Sequence, residues 1–312
     1  MSAIQKSVST ADTISAAEFS AAESVLAAIQ SVQVEGAKKP DLQSMANPSS
    51  DAVGYVHGVS QTEQSRLLEQ GELLRPVVYS AEIAKILESH SSRVVELGSG
   101  SGTNMVYVLS QYVGIRRYTA VDFNQDAYRG QLEKTFQNEL SSKRLSLEQA
   151  DIQQPCAEHL KGEAGTVFFT WVLEHLKEPK KGIQYAADCL QPGGCLIGFE
   201  CDWHVAGIVT SDAQLNQQYA GFVQSFCAKQ QGSGNPHYGQ CFEQDVRESG
   251  LFTEIQSQKI QLESSMQFAN MLLNILSGAL LESKEEIEAY RQKLLDVFVS
   301  THVEVTRIVA KK

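Results

Sequence analysis

The glycine-rich stretch at residues 94–104 reads VVELGSGSGTN, and it decides the fold of this 312-residue chain. A β-branched run leads into three glycines, and helix-compatible residues follow, as expected for a strand that turns tightly into a helix. Glycine lets the backbone of such a turn approach a ligand, while the first N–H groups of the helix stay free to bind it. The stretch therefore predicts a nucleotide-like ligand at the end of a strand.

The spacing of the glycines excludes three well-known loops. A dinucleotide fingerprint requires a third small residue three positions after its second glycine, and Thr103 stands there. A phosphate-binding P-loop requires a lysine, which the stretch lacks. A nucleophile elbow requires a serine between two glycines, and Ser99 and Ser101 are both out of frame. The pattern that remains is E-x-G-x-G-x-G, from Glu96 to Gly102.

From about residue 80 onward, short β-branched runs alternate with amphipathic segments, which is typical of a doubly wound α/β sheet. The predicted strands are 93–97, 118–122, 145–149, 166–169 and 195–200, followed by two late strands at 253–260 and 303–310. We therefore predict a doubly wound seven-stranded sheet, parallel with one antiparallel strand at the end, together with helical lid and cap elements.

Residues 1–50 are rich in Ala, Ser and Gln, so they cannot bury much surface of their own. They are predicted to form a flexible extension, with one helix suggested by the apolar spacing between Phe19 and Ile29. Apolar residues from Phe268 to Ala279 recur at helical offsets and are interpreted as core or as the contact of a homodimer. The main domain is predicted at 51–312, with a lid at 51–80 and cap insertions at 202–240 and 266–298.

The charge balance of the chain is acidic, because 37 Asp and Glu residues oppose 26 Lys and Arg residues for a net charge of −11. A field of this sign repels polyanions, and the basic residues occur only as pairs or near pairs. We therefore expect a small-molecule partner and no nucleic acid.

The cysteine and hydropathy patterns bear on metals and on the compartment. The six cysteines include no Cys-x-x-Cys pair, so no metal site is predicted. The sequence shows no apolar run approaching the ~18 residues of a membrane span, and no charged-then-apolar leader. These observations predict a cytoplasmic protein with reduced thiols and no membrane partner.

Five motifs between about residues 90 and 260 resemble those of the class I S-adenosylmethionine-dependent methyltransferases. They are the glycine loop, Ala120–Phe123, Gln149–Ile152, Phe168–His175 and Gln191–Gly194. Each motif alone is common, but five in the family's order and spacing are specific. The resemblance implies that the chain binds S-adenosylmethionine at the carboxyl ends of its strands.

The resemblance also implies individual roles. In the family, the acid that ends the second strand accepts hydrogen bonds from both ribose hydroxyls, and this role falls on Asp122. The next strand-end acid meets the adenine amino group and the following apolar residue packs on the ring, which indicates Asp151 and Ile152. The family's counterpart of Glu96 approaches the methionine ammonium or orders the glycine loop, and both roles stay open. The predicted cofactor-binding set is Glu96, Gly98, Ser99, Gly100, Gly102, Asn104, Asp122, Phe123, Asp151, Ile152, Thr170 and Trp171.

Residues 54–70 are similar to the lid helix that some small-molecule methyltransferases place over the cofactor. Ser60 and Glu63 form a capping box, so Ser60 is equally consistent with a plain helix start. Tyr55 and His57 precede this helix, where the family places groups near the methionine end of the cofactor, although packing explains both residues equally well. The predicted lid and substrate residues are Tyr55, His57, Trp203 and Tyr238.

Two histidines are predicted as catalytic bases. Methyl transfer is an in-line displacement, and a base is needed only when the acceptor must lose a proton. His175 follows the fourth predicted strand and His204 follows the fifth, at the edge of the sheet where ligands bind. The alternative for each is a histidine bonded to backbone at the start of a helix.

The resemblance thus implies a methyltransferase that acts on a small molecule, such as a secondary metabolite. A protein or RNA methyltransferase is disfavoured by the charge and because Thr170–Leu173 stands where such enzymes carry an Asn-Pro-Pro-Tyr type motif. A binding protein that has lost turnover is a third alternative, against which the intact glycine loop, Asp122 and Asp151 argue. Whether the acceptor atom is O, N, S or C stays open.

Overall fold

The structure, a computed structural model, describes residues 57, 60–90, 92–203 and 205–312. The predicted N-terminal extension (1–50), Tyr55 and His204 lie outside the described residues. The strands of the described part are β1 (Arg93–Leu97), β2 (Arg117–Asp122), β3 (Leu145–Gln149), β4 (Ala164–Thr170), β5 (Leu190–Cys201), β6 (Gly207–Thr210), β7 (Glu254–Gln261), β8 (Phe298–His302) and β9 (Glu304–Lys311).

The helices of the described part cover the sheet and the site. They are α1 (Gln61–Val78), α2 (Ala81–His90), α3 (Thr103–Gln111), α4 (Gln125–Thr135), α5 (Gln137–Ser141), α6 (Pro179–Cys189), α7 (Ala213–Gln230), α8 (Tyr238–Glu248), α9 (Met266–Ala279) and α10 (Lys284–Val297). Short 3-10 helices lie at Leu173–His175 and Leu281–Ser283. None of these helices is both long and apolar enough to cross a membrane.

Seven strands form one sheet in the order β3-β2-β1-β4-β5-β9-β7. The strands from β3 to β5 run parallel to their neighbours, whereas β9 runs antiparallel to both β5 and β7. The prediction of a doubly wound, seven-stranded sheet with one antiparallel strand is therefore confirmed. That strand is the last in the chain, and it lies between β5 and β7.

The sheet order places the site. The chain adds β2 and β3 on one side of β1 and then crosses over to add β4 and β5 on the other side. Parallel strands covered on both faces must be apolar throughout, and Val94–Leu97 and Ala164–Phe169 are buried along their whole length. A crevice opens where the strand order reverses, beyond the carboxyl ends of β1 and β4, and ligands of open α/β sheets bind there.

The region after β5 is more varied than predicted. The helical segment expected at 266–298 consists of α9, a 3-10 turn and α10, and it ends in β8. β8 pairs with β6 as a second, two-stranded antiparallel sheet, with α7 against β6 and α9 against β8. A two-stranded sheet needs such packing because it is marginal alone.

Two sequence motifs take a definite form in this region. The apolar residues of α9 from Phe268 to Ala279 are buried within the chain. They therefore belong to the core, which is one of the two interpretations of that pattern. The Gln191–Gly194 turn lies within the bounds of β5, at a register shift where Leu190 and Cys195 face neighbouring parts of β4. A homodimer stays a prediction.

Candidate cofactor and acceptor site

A cavity with an empty volume of about 1110 Å³, part of it open to solvent, lies beyond the carboxyl ends of β1, β2 and β4. Predicted site residues from the lid, from the glycine loop and from the ends of β2, β3, β4 and β5 lie together there. Those that line the cavity are His57, Gly98, Gly100, Asp122, Phe123, Asp151, Ile152, Thr170, Trp171, His175 and Trp203.

The glycine loop depends on its glycines for conformation and for space. Gly98 has φ +70°, and a Cβ on it would lie 2.4 Å from Cγ2 of Val172. Gly102 has φ +86° and precedes α3, where a Cβ would lie 2.7 Å from Cδ2 of Leu132. L side chains rarely adopt a positive φ, and a Cβ at either position would also clash with a neighbouring side chain. Both positions therefore require glycine for two reasons.

Asp122, at the end of β2, ties that strand to the glycine loop. Its Oδ2 accepts a hydrogen bond from the Gly100 N–H at 2.8 Å, and its Oδ1 accepts one from the Asn124 N–H at 2.7 Å. Burial raises the pKa of the Asp122 carboxyl, and the two N–H donors oppose that shift. A carboxylate can accept about four hydrogen bonds, so Asp122 keeps capacity for the two hydroxyls of a ribose.

Asp151 follows β3 and is fixed by the turn that it starts. Its Oδ1 accepts hydrogen bonds from the backbone N–H of Gln153 at 2.9 Å and from the Gln153 side chain at 3.2 Å. Ile152 is buried and lines the cavity beside it. The pair presents an acceptor and an apolar surface next to each other, as the adenine end of the cofactor requires.

At the carboxyl end of β4, two buried polar atoms beside the cavity have no hydrogen-bond partner among the described residues. They are Oγ1 of Thr170 and Nε1 of Trp171. Trp171 also has φ 56°, a left-handed conformation that costs a bulky residue about 1–2 kcal/mol. A polar ligand in the cavity would give these atoms their missing partners, so this end of β4 fits a bound cofactor.

Glu96 lies beneath the glycine loop and does not line the cavity. Its carboxylate accepts hydrogen bonds from the Tyr118 hydroxyl at 2.7 Å and from the Asn104 amide at 2.9 Å. The Asn104 side-chain oxygen in turn accepts a hydrogen bond from Tyr79 at 2.9 Å. These bonds tie Glu96 to β2 and to the first turn of α3, and both roles left open for it stay predictions.

Three other predicted cofactor residues also lie behind the cavity wall. The Ser99 hydroxyl donates to Gln125 at 3.2 Å, Asn104 bonds to Glu96, and Gly102 packs beside Leu132. A direct contact of Glu96, Ser99, Gly102 or Asn104 with the cofactor stays a prediction.

The buried Glu96 carboxyl should make the stability of the fold depend on pH. Burial raises the pKa of Glu96 from 4.5 to about 7, so the folded state binds its proton more tightly than the unfolded state does. Such a group stabilises the fold below its unfolded pKa, and this stability is lost as pH rises through the folded pKa. The loss is on the order of 3 kcal/mol between about pH 4.5 and pH 7.

We expect Glu96→Gln to flatten the pH dependence of the free energy of unfolding over this window, measured by urea denaturation at several pH values. Glu158→Gln, at a side chain that is 87% exposed, is the control and should leave the profile unchanged. Parallel profiles for wild type and Glu96→Gln would contradict the prediction.

The turn after β4 is held by a residue to which the sequence assigned no role. Glu200, at the end of β5, is fully buried and accepts hydrogen bonds from three consecutive backbone N–H groups. These donors are Val172 at 3.1 Å, Leu173 at 2.8 Å and Glu174 at 3.2 Å. The carboxylate thus caps the 3-10 helix that carries His175. The sequence signal is an acid inside an otherwise apolar buried strand.

His175 lies at the cavity, next to Glu174 and Gln230. Its Nδ1 is 3.3 Å from Nε2 of Gln230, and its Nε2 is 3.5 Å from Oε1 of Glu174. Burial, assisted by the positive charge of Arg66, lowers the pKa of His175 to about 4. The imidazole is therefore neutral at pH 7 and a weak proton acceptor, since an effective base has a pKa near the working pH.

The lid helix α1 begins as predicted. The Ser60 side chain accepts a hydrogen bond from the Glu63 N–H at 3.2 Å. The Glu63 carboxylate binds the Arg66 guanidinium at 2.7 and 2.5 Å, and Arg66 also donates to Gln70 at 2.6 Å. Arg66, Gln70 and His57 all line the cavity, so the lid contributes polar groups to its wall.

Of the predicted substrate residues beyond the lid, Trp203 lines the cavity, whereas Tyr238 does not. Tyr238 is only 1% exposed, packs against Phe242 with ring centroids 6.0 Å apart, and donates its hydroxyl to Asp245 at 3.1 Å. It starts α8, whose apolar face lies on the sheet. Tyr238 therefore packs in the core, and a substrate role for it stays a prediction.

Comparison with known proteins agrees with this geometry. Residues 95–196 match a family model described as a methyltransferase domain. These residues thus form a class I, S-adenosylmethionine-dependent methyltransferase domain, and the predicted family, enzyme class and cofactor are confirmed. No curated protein sequence matches the chain.

Solved structures of three proteins are similar to this chain at low sequence identity. The YcgJ protein of Bacillus subtilis is 12% identical, over 74% of this chain and 96% of that chain, with a TM-score of 0.48. Phosphoethanolamine N-methyltransferase 2 of Haemonchus contortus is 14% identical over 78% and 52%, with a TM-score of 0.47. Geranyl diphosphate C-methyltransferase of Streptomyces coelicolor is 12% identical over 78% and 74%, with a TM-score of 0.46. None of these likenesses bears on the acceptor of this chain.

Proposed function

We propose that this methyltransferase acts on a small molecule that binds in the cavity, beside the cofactor. The observation that supports the proposal is that the cavity is walled by helices around the sheet as well as by the strand ends. Side chains from four further parts of the fold line it, namely Arg66 and Gln70 of α1, Trp203 after β5, Phe226 of α7 and Ile275 of α9. A protein or RNA acceptor requires a groove that admits a polymer, whereas a walled cavity suits a small acceptor.

The residues at the strand ends fit the cofactor. Asp122 would hold the ribose hydroxyls and Asp151 the adenine amino group, while Thr170 and Trp171 offer polar atoms that lack partners. When bound, S-adenosylmethionine supplies an electrophilic methyl group on a positively charged sulfur. The work of this chain is to align that methyl group with the acceptor and to keep water away.

The predicted compartment and acceptor class complete the proposal. All six cysteines are unpaired, and five of them are buried, which fits a reducing cytoplasmic setting. An acceptor from secondary metabolism is part of the same hypothesis.

The proposal predicts where a transferred methyl group appears. Incubation of the protein with methyl-labelled S-adenosylmethionine and cell extract should put the label into the small-molecule fraction after size separation. Asp122→Asn should transfer less label than wild type at a cofactor concentration below saturation. Label confined to the macromolecular fraction would overturn the small-molecule proposal in favour of a protein or RNA acceptor, and label in neither fraction would indicate a binding protein without turnover.

A further inference from the structure

Arg66, on the lid helix α1, is the one lysine or arginine among the described residues that line the cavity. Its side chain is only 8% exposed, so the guanidinium has little contact with bulk water. A buried cation is costly unless charged or polar partners surround it, and native proteins therefore keep one where it is paired or binds an anion.

Two side chains of the same helix hold the guanidinium in place. Glu63 accepts hydrogen bonds from its Nε at 2.7 Å and from its Nη2 at 2.5 Å, and Gln70 accepts one from its Nη1 at 2.6 Å. Arg66 and Gln70 line the cavity, whereas the Glu63 side chain is 3% exposed and does not. Glu63 therefore supports the guanidinium from the protein side and leaves the cation at the cavity wall.

The Arg66 charge acts on the cavity in spite of this pairing. After burial, it is the first cause that lowers the pKa of both His57 and His175. Burial and nearby carboxylates raise the pKa of Tyr128, and the Arg66 charge opposes that shift. These three residues all line the cavity. At both histidines the Glu63–Arg66 pair thus acts as a cation, which favours a negatively charged group of a ligand over a positive one.

The lid helix lies over the glycine loop. The Leu67 carbonyl accepts a hydrogen bond from the Thr103 hydroxyl at 3.4 Å, and Cδ1 of Leu67 lies 3.7 Å from the position of a Cβ built on Gly100. A Cβ on Gly71 would clash with Cγ2 of Thr103, so glycine lets the helix approach this closely. Arg66 precedes Leu67 and lines the cavity, so it belongs to the part of the wall that adjoins the carboxyl end of β1.

The sheet order gives the direction of the bound cofactor. In the proposed function, Asp151 after β3 holds the adenine and Asp122 at the end of β2 holds the ribose, and the next strand of the sheet is β1. The methionine part is joined through its sulfur to the ribose, so it continues toward β1 and the lid. Its α-carboxylate is the anionic group of the cofactor at neutral pH.

We infer that Arg66 binds the α-carboxylate of S-adenosylmethionine and thereby distinguishes the intact cofactor from adenosine compounds that lack this group. A guanidinium offers paired N–H donors that match the two oxygens of a carboxylate, which gives direction as well as strength. Glu63 and Gln70 fix the orientation of those donors. The same contact serves every acceptor, so the assignment of Arg66 is separate from the choice between small-molecule and polymer acceptors.

Two ligands that differ only in the carboxylate test this assignment by titration calorimetry. S-Adenosylhomocysteine carries the carboxylate, whereas S-adenosyl-3-thiopropylamine keeps the adenosine, the sulfur and the amine without it. Wild type should bind S-adenosylhomocysteine about 10- to 100-fold more tightly. In Arg66→Gln its affinity should fall by about that factor. Binding of the thiopropylamine should not weaken, so the two dissociation constants become similar.

A double variant separates this effect from damage to the lid. Arg66→Gln leaves the buried Glu63 carboxylate without its cation, which is destabilising. Glu63→Gln/Arg66→Gln removes both charges and should show the same loss of discrimination between the two ligands. Retained binding of S-adenosyl-3-thiopropylamine shows that the cavity is folded in either variant.

Arg75→Gln is the matched control. Arg75 lies on the same helix and pairs with Glu72, but its side chain is 27% exposed and does not line the cavity. This variant should bind both ligands as wild type does. Unchanged affinity of the double variant for S-adenosylhomocysteine would overturn the assignment. An equal loss for both ligands would also overturn it, because Arg66 would then only support the cavity wall.

Discussion

Replacing Asp122 with asparagine should weaken the binding of S-adenosylmethionine by about 5- to 150-fold. The carboxylate accepts the N–H groups of Gly100 and Asn124 and keeps capacity for two ribose hydroxyls. Asparagine has the same shape but one acceptor oxygen and no charge, and its NH2 group must face a donor. Loss of charge-assisted hydrogen bonds of this kind costs about 1–3 kcal/mol, which gives the expected ratio of dissociation constants.

Titration calorimetry measures this ratio, with Asp126→Asn as the matched control. Asp126 stands four residues along, with its side chain 69% exposed and paired to Arg129 on the surface of α4. The control should bind as wild type does. Equal affinity in wild type and Asp122→Asn would mean that another residue holds the ribose.

Replacing Glu200 with alanine should lower the free energy of unfolding by about 3–5 kcal/mol. The substitution leaves the N–H groups of Val172, Leu173 and Glu174 without their acceptor in a buried place, and it opens a cavity at the end of β5. The 3-10 turn that carries Glu174 and His175 loses its cap, so methyl transfer should fall as well.

Urea denaturation checks the stability effect, with Glu254→Ala as the control. Glu254 also lies on a strand of the sheet, but its side chain is 63% exposed and pairs with Lys311 at the surface. Exposed ion pairs contribute about 0–1 kcal/mol, so the control should change little. A loss below about 1 kcal/mol in Glu200→Ala would contradict the capping role.

The sequence predicted the parts of the site that depend on local pattern. Strand period and glycine spacing place Asp122 and Asp151 at strand ends, and in parallel strands these ends meet at one edge of the sheet. The cofactor end of the cavity follows from those positions. The cap of α1 by Ser60 was equally local, since its partner is three residues away.

The parts that depend on distant partners could not be predicted in this way. Glu200 bonds to residues 26 to 28 positions earlier, so the apolar strand around it marks an unusual acid but does not identify its partners. The strands β6 and β8 are 4 and 5 residues long and pair across some 90 residues. Tyr238 lies in a segment without clear periodicity, where an aromatic residue is equally consistent with a pocket and with a core.

The most direct test of the central claim is titration calorimetry of the wild-type protein with S-adenosylmethionine. We expect one saturable site per chain, with a dissociation constant between about 1 µM and 1 mM, the range usual for enzyme substrates. Asp122→Asn should weaken this binding, whereas Asp126→Asn should not. No heat of binding at millimolar cofactor would contradict the account of the cavity as the site of a methyltransferase.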